Sequence, residues 1–385
     1  MRNLKNIFLD EVCTPENLQL SATAWDASNN SIICTFGPTE SSTTIDLKRK
    51  CSRASAPELA FESIASWDAP CSPSGLSSDD IISLQYFSEN ATCYLILAGG
   101  DLVVVREEPL PGEERIEIVG SVDAGIAAAA WAPDEELLAV VTHADTLILM
   151  TRDLQPVTEV TLTAEDLKAS KHVSVGWGKK ETQFQGKRAK ALRDPTMPES
   201  VDQGKRSPHD TGRTSISWRG DGAFLAVNRL VPDNRRAIRI FTREGTIDSA
   251  SEPVDGLESA LSWRPAGNLL SSVQRLADRL DVVFFERNGL RHGEFSLRLS
   301  RDEMDTWASD VSLSWNIDST VLAVSFCDRV QLWTMGNYHY YLKQEISLGN
   351  EAHARSRSMA WHPEKPLRMS AASTGIVIEL WIEPM

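Results

Sequence analysis

Apolar and polar positions alternate along most of this chain with a period of two, and the alternation returns repeatedly in one form. Between residues 311 and 341, Val311, Leu313 and Trp315 alternate with serines, Asp318-Ser319 marks a turn, residues 321–324 are an apolar run, Asp328 opens a second turn, and Val330, Leu332 and Trp333 begin another strand. A two-residue period broken by turn residues at these intervals predicts antiparallel strands. Strands this short cannot bury both faces of one sheet, so the unit predicts stacking against copies of itself.

The copies are present. Strand starts at 20–25, 81–86, 125–131, 173–177, 215–218, 260–263, 312–315 and 358–361 each end on an aromatic: Trp25, Tyr86, Trp131, Trp177, Trp218, Trp263, Trp315 and Trp361. From Trp131 onward the separations run from 41 to 52 residues, which brackets the period of WD-type repeats. The pattern predicts an all-β, WD-repeat-like β-propeller spanning residues 1–385 as a single domain. Seven blades are favoured over eight, because the start at Trp177 is followed by only one further short strand, at 182–185. Residues 4–12 read as a leading strand that closes the propeller by pairing with the last repeat, at 375–382. The recurrent aromatics read as structural blade markers, wedges filling the space between neighbouring sheets, and not as a ligand cage.

Two stretches interrupt the pattern. Residues 37–79, rich in Ser, Pro and Gly and carrying Lys48, Arg49, Lys50 and Arg53, read as an irregular connection with one or two short strands. Thr163 reads as the cap of a short helical turn. Residues 186–212 read as a flexible basic insertion, in which Lys187, Arg188, Lys190, Arg193, Lys205 and Arg206 are candidates for contact with RNA or an acidic partner, against the plainer reading of a solvated loop. Tyr338, His339, Tyr340 and Tyr341 form a candidate partner surface, or else dock the outer strand.

Composition then narrows the function. The 385 residues carry a formal charge of −15, which argues against the chain as a whole gripping nucleic acid. The six cysteines are scattered without a C-x-x-C pair and read as buried, reduced thiols of a cytoplasmic or also nuclear protein. The opening residues, MRNLKNIFLDEV, do not read as a secretory signal. No apolar run approaches the ~18–20 residues of a membrane span, so no membrane is expected as a partner. The seven histidines show no metal-ligand spacing. Phosphate-loop, nucleophile-elbow and zincin motifs are absent from the sequence. No catalytic residue, cofactor or metal is expected, although carboxylates drawn from separate blades leave a propeller hydrolase as an alternative. A stand-alone propeller binding a protein or peptide is the other alternative.

Six strings are more specific than the repeat: MRNLK at 1–5, VGWGKKETQFQG at 175–186, WRGDGAFLAV at 218–227, SEPVDGL at 251–257, DVVFFERNGLRHGEF at 281–295 and QLWTMGNYHYYLKQ at 331–344. Together they resemble the N-terminal propeller of the largest subunit of the Elongator complex, the IKK-complex-associated protein family. That family's subunit is a longer scaffold, with a second propeller and a helical, dimerising C-terminal region. The resemblance implies a non-catalytic role in modification of the transfer RNA wobble uridine. It also implies partners: the radical-SAM, acetyltransferase-like catalytic subunit and a second propeller subunit, with tRNA reached through the complex. The family's basic C-terminal tRNA contacts have no counterpart in the matched strings, so RNA binding is not carried over.

Overall fold

The computed structural model describes residues 4–14, 19–39, 42–51, 60–69, 80–169, 202–299, 303–304, 311–326, 328–348, 356–373 and 375–384. Among them, 28 strands form seven four-stranded sheets. The first holds β2 (Leu20–Asp26), β3 (Ser31–Phe36), β4 (Thr44–Lys50) and β5 (Phe61–Asp68). The second holds β6 (Ile81–Phe87), β7 (Thr92–Leu97), β8 (Asp101–Arg106) and β9 (Ile116–Ser121). The third runs from β10 (Ile126–Trp131) to β13 (Pro156–Thr161), the fourth from β14 (Ser215–Trp218) to β17 (Ile247–Ala250), and the fifth from β18 (Leu257–Trp263) to β21 (Arg291–Ser296). The sixth holds β22 (Ser312–Trp315), β23 (Val321–Phe326), β24 (Arg329–Gly336) and β25 (His339–Ser347).

The seventh sheet departs from chain order. It lies β1-β28-β27-β26, with β26 (Ser356–Trp361), β27 (Arg368–Ser373) and β28 (Ile376–Pro384) joined by β1 (Leu4–Cys13) at its outer edge. The pairing runs antiparallel from Leu4↔Pro384 to Cys13↔Ile376, as the leading strand in the sequence predicts. The architecture is that of a seven-bladed, all-β propeller closed by its N-terminal strand. Residues 1–161 with 314–385 form one compact unit and residues 162–313 another, the latter containing the fourth and fifth sheets. No helix of the described residues is long and apolar enough to cross a membrane.

Sheet stacking explains the sequence pattern. In β7 every side chain is buried. Cys93, Leu95 and Leu97 join Ile33, Ile45 and Leu47 of the first sheet in one cluster, while Tyr94 and Ile96 join Leu138, Val140 and Met150 of the third sheet in another. A strand sandwiched between two sheets needs apolar residues at both parities, which is why inner strands read as continuous runs and outer strands alternate. Each fully buried Leu, Ile or Val contributes about 1.5–3 kcal/mol.

The stretch 37–79 is more regular than its composition indicates, since β4 and β5 complete the first sheet. Ile45 and Leu47 are fully buried, but the residues between and after them are Asp46, Lys48, Arg49 and Lys50, whose charges obscure the alternation. The last of those charges is not solvated. Lys50, 2 % exposed, is paired to Asp10 of β1 and Glu379 of β28, at 2.5 and 3.3 Å. The predicted helical turn is a 3-10 turn at Glu165–Ala169, where the Thr163 hydroxyl donates to Asp166 at 3.0 Å and Asp166 accepts the Thr163 N–H at 2.7 Å.

Candidate interaction surfaces

Each of the seven sheets carries one of the predicted aromatics in its first strand, and the eighth, Trp177, lies outside the described residues. The registers explain the recurrence. Trp25 faces Ile32, Tyr86 faces Cys93, Trp131 faces Leu138, Trp218 faces Leu225 and Trp263 faces Leu270, so these five sit at one position of the first hairpin, and Trp361 faces Met369 across a hairpin one residue longer. From there the aromatic reaches the preceding sheet. The Trp25 indole donates to Ala360 O at 3.1 Å and the Trp361 indole to Ser314 O at 3.0 Å. Trp131 sits edge-on to Phe87 and Tyr94, and Trp263 approaches Phe224 at 6.4 Å.

Tyr86 replaces tryptophan for a visible reason. Its hydroxyl donates to Glu107 at 2.9 Å and accepts from Arg49 at 3.2 Å. An indole N–H can only donate, so it could not take both roles. Arg49 also pairs with Asp26 at 2.5 Å and Glu107 at 2.7 Å, bridging the first two sheets. Burial raises the Tyr86 pKa, and Glu107 adds to that. Asp26 lies below the usual carboxylate range: burial acts to raise it, and hydrogen bonds from Asn29 and Arg49 outweigh that. This polar seam has no periodic signature and escapes sequence reading.

The Tyr338–Tyr341 string divides. β24 and β25 meet in a two-residue turn, with Gly336 opposite His339 and with Asn337 and Tyr338 both left-handed at φ 49° and 62°. That is a type I′ hairpin, whose second central residue is ordinarily glycine. Tyr338 occupies the place with 84 % of its surface exposed, and the neighbouring Met335 is 49 % exposed. Tyr340, half-buried, instead approaches Trp315 at 6.4 Å, and Tyr341 takes the Lys343 ammonium over its ring at 5.6 Å. His339 is exposed. Docking of the strand thus accounts for Tyr340. It leaves the strained, exposed Tyr338 without a structural reason, and a residue held in a disfavoured conformation in full solvent is a pointer to function. Nearby in the fold, β1 exposes Ile7 and Leu9, and its Asn6 accepts a hydrogen bond from Gln344 of β25.

The basic segment also divides. Lys187, Arg188, Lys190 and Arg193 lie outside the described residues. Residues 202–213, which include the described end of the predicted 186–212 insertion, form a strap fastened to the fourth and fifth sheets, and residues 186–201 lie outside the described residues. Asp255 accepts the backbone N–H of Gln203 at 2.9 Å and of Lys205 at 2.8 Å. Ser207 donates to Glu258, which pairs with Arg275 at 2.6 Å. Asp210 and Arg236, both without side-chain exposure, form a two-pronged pair at 2.5 and 2.8 Å. Arg206 donates to Asn234 Oδ1 and Asp210 O, and both it and Lys205 remain exposed. Gly256 donates to the Lys205 carbonyl, and at φ 74° a Cβ there would lie 2.0 Å from Arg275 O, so the close approach requires glycine.

Among the described residues no group of three or more His, Cys, Asp and Glu side chains could hold a metal ion. Cys34 and Cys93 are buried thiols, and burial pushes the Cys34 pKa up to about 12.

Comparisons with known proteins agree with the fold and the strings. The family model "ELP1 first N-terminal beta-propeller" matches residues 1–364. Elongator complex protein 1 of Schizosaccharomyces pombe is 48 % identical over 292 residues, covering 74 % of this chain and 22 % of that protein. The Saccharomyces cerevisiae protein of the same name is 40 % identical over 389 residues, covering 92 % of this chain and 27 % of that protein. The chain therefore spans about a quarter of the length of the curated relatives it matches. A chain of a mitotic checkpoint complex crystal structure aligns with a TM-score of 0.58 at 12 % identity, over 100 % of this chain and 94 % of its own, which is a likeness of fold alone.

Proposed function

Because the chain belongs to the family of the first N-terminal β-propeller of Elongator complex protein 1, we propose that it is a non-catalytic scaffold module of the Elongator complex. In this reading it holds the radical-SAM, acetyltransferase-like catalytic subunit and a second propeller subunit in place, and so supports modification of the tRNA wobble uridine. The observation that carries the reading is the hairpin tip at Asn337-Tyr338, where an aromatic that the turn does not need is presented to solvent at a position suited to glycine. Exposed aromatics on rigid hairpins make efficient anchors, since they bring large contact area at low entropic cost. The Elongator name of the relatives supports the choice of complex, and cytoplasmic assembly, with a nuclear fraction, belongs to the same proposal.

The test is affinity capture of the tagged chain from extract of its own cells, followed by mass spectrometry. The proposal expects the catalytic and second-propeller subunits in the eluate, and a reduced yield from Tyr338→Ala and His339→Ala with unchanged thermal midpoint. Capture of other proteins without either subunit, from the wild-type chain, would overturn it in favour of a stand-alone propeller.

A further inference from the structure

Two turns of the first compact unit, 27–30 and 362–368, bring together an arrangement that no assembly role explains. The first presents Asn30, left-handed at φ 49°, in a turn fixed by Asn29 bonding to Asp26. The second begins at His362, fully buried and packed against the Trp25 ring at 4.9 Å. Its Nδ1 accepts the backbone N–H groups of Glu364 and Lys365 at 3.1 and 3.2 Å, so the proton lies on Nε2, which donates to Asn30 Oδ1 at 3.2 Å. Lys365 Nζ donates to the same oxygen, and so does Arg368 Nη1, at 3.2 Å.

Three donors, two of them cationic, therefore converge on one neutral amide oxygen that has two lone pairs. Elsewhere the buried cations of this chain meet carboxylates: Arg49 meets Asp26 and Glu107, Lys50 meets Asp10 and Glu379, and Arg236 meets Asp210. Lys365 and Arg368 have no ion pair among the described residues, and Glu364 is exposed to solvent. The guanidinium is held in place by stacking on Trp381 at 3.7 Å, whose ring also meets Phe8 at 4.4 Å. Two cations whose one carboxylate neighbour among the described residues is the solvent-exposed Glu364 leave a site short of negative charge and of acceptors.

We propose that Lys365 and Arg368, supported by His362 and Asn30, form a binding site for a phosphate monoester dianion. Two cations match the charge of about −1.5 to −2 carried by such a group near neutral pH, and a guanidinium with free donors fits its oxygens. A nucleic-acid strand fits less well. Its phosphodiesters carry one charge each, and the aromatic faces beside the site are already covered, Trp25 by His362 and Trp381 by Arg368 and Phe8, so no platform remains for a base to stack on. Burial lowers the pKa of the Lys365 amine and Arg368 lowers it further, outweighing the exposed Glu364, and an incoming dianion would reverse the shift.

The site can be read directly through Lys365. In the intact chain at pH 7.5, reductive methylation of Lys365 is followed by mass spectrometry in chloride of fixed ionic strength, then with inorganic phosphate, a phosphoserine peptide or its unphosphorylated form in place of part of the chloride. Slowing of about fivefold or more by both phosphate and phosphopeptide is expected, with no effect of the unphosphorylated peptide. Protection by phosphate alone identifies the free ion as ligand, and protection by the phosphopeptide alone identifies a modified side chain; both support the site. Arg368→Gln should raise the concentration giving half protection about tenfold. If that variant loses its fold with the Trp381 stack, Lys365→Met serves instead, read by loss of the phosphate-dependent rise in thermal midpoint. Equal rates in chloride and in both phosphate forms, or protection by a single-stranded RNA oligonucleotide and by neither monoester, would overturn the proposal.

Discussion

The seam between the first two sheets and the strap across the fourth and fifth are fastened by opposite means. In the seam, Ile33, Ile45 and Leu47 meet Cys93, Leu95 and Val103 over an apolar face, to which one polar cluster, Arg49 with Asp26, Tyr86 and Glu107, is added. In the strap, twelve residues of mostly polar chain are fixed by Asp210–Arg236, Glu258–Arg275 and the backbone bonds to Asp255. Apolar burial is additive and tolerant: losing a methylene costs roughly its transfer energy and a cavity term. Buried ion pairs are not tolerant. A well-made pair adds little over an apolar substitute, yet removing one partner leaves the other uncompensated, at a cost of about 3–5 kcal/mol. The seam should therefore yield gradually to substitution and the strap abruptly.

The largest expected effect follows from that contrast. Arg236→Ala leaves the buried Asp210 carboxylate with the Gly212 N–H at 2.9 Å but no cation closer than Arg206, at 3.8 Å. A loss of about 3–5 kcal/mol is expected in denaturant unfolding, together with new proteolytic cleavage between residues 202 and 213. The double change Arg236→Met with Asp210→Leu should recover most of that loss, and equal instability of single and double variants would break the comparison. In the seams, Trp25→Leu removes an indole that is 5 % exposed and its bond to Ala360. A smaller loss, about 2–3 kcal/mol, is expected there, without local cleavage.

The seam between the seventh and first sheets contains one titratable exception that sharpens the comparison. Burial, then Lys365 and Arg368, push the His362 pKa down to about 4, against 6.5 for the free side chain. The folded state thus favours the neutral ring. Its contribution to stability is complete above about pH 6.5 and is lost as pH falls from there toward 4, because the unfolded chain takes up the proton first. The thermal midpoint of the wild-type chain should fall more steeply over that window than that of His362→Gln. Parallel curves would show that the ring is not held neutral.

The same contrast explains what could be read from the chain alone. Five aromatics at one hairpin register, the continuous apolar β7 and the leading strand Leu4–Cys13 are consequences of stacking, and stacking imposes a period. The architecture was legible for that reason. β4 was obscured because Arg49 and Lys50 answer partners distant in sequence, Asp26 and Glu107 for the first and Asp10 and Glu379 for the second. The strap was hidden for the same reason, since the partners of residues 203–210 lie some 26–52 positions away. Among the candidate residues, the tyrosine string stood out by composition. Which tyrosine faces outward depends on a turn geometry that composition does not carry.

Tyr338 supplies the smallest stability effect and the sharpest separation of fold from function. Its φ of 62° places a bulky side chain in the left-handed region, at the second central position of a type I′ turn. Holding a non-glycine residue there costs on the order of 1–3 kcal/mol, and glycine at the same place loses some of that advantage to its greater freedom in the unfolded chain. Since the side chain is 84 % exposed, little burial is lost with it. Tyr338→Gly should therefore raise stability by about 0.5–1 kcal/mol while lowering recovery of partner subunits in the capture experiment. Those two outcomes together would mark Tyr338 as a side chain retained for contact. If Tyr338→Gly destabilises the chain, the ring has an intramolecular role. If it stabilises the chain and leaves capture intact, the contact surface lies elsewhere on the sheets.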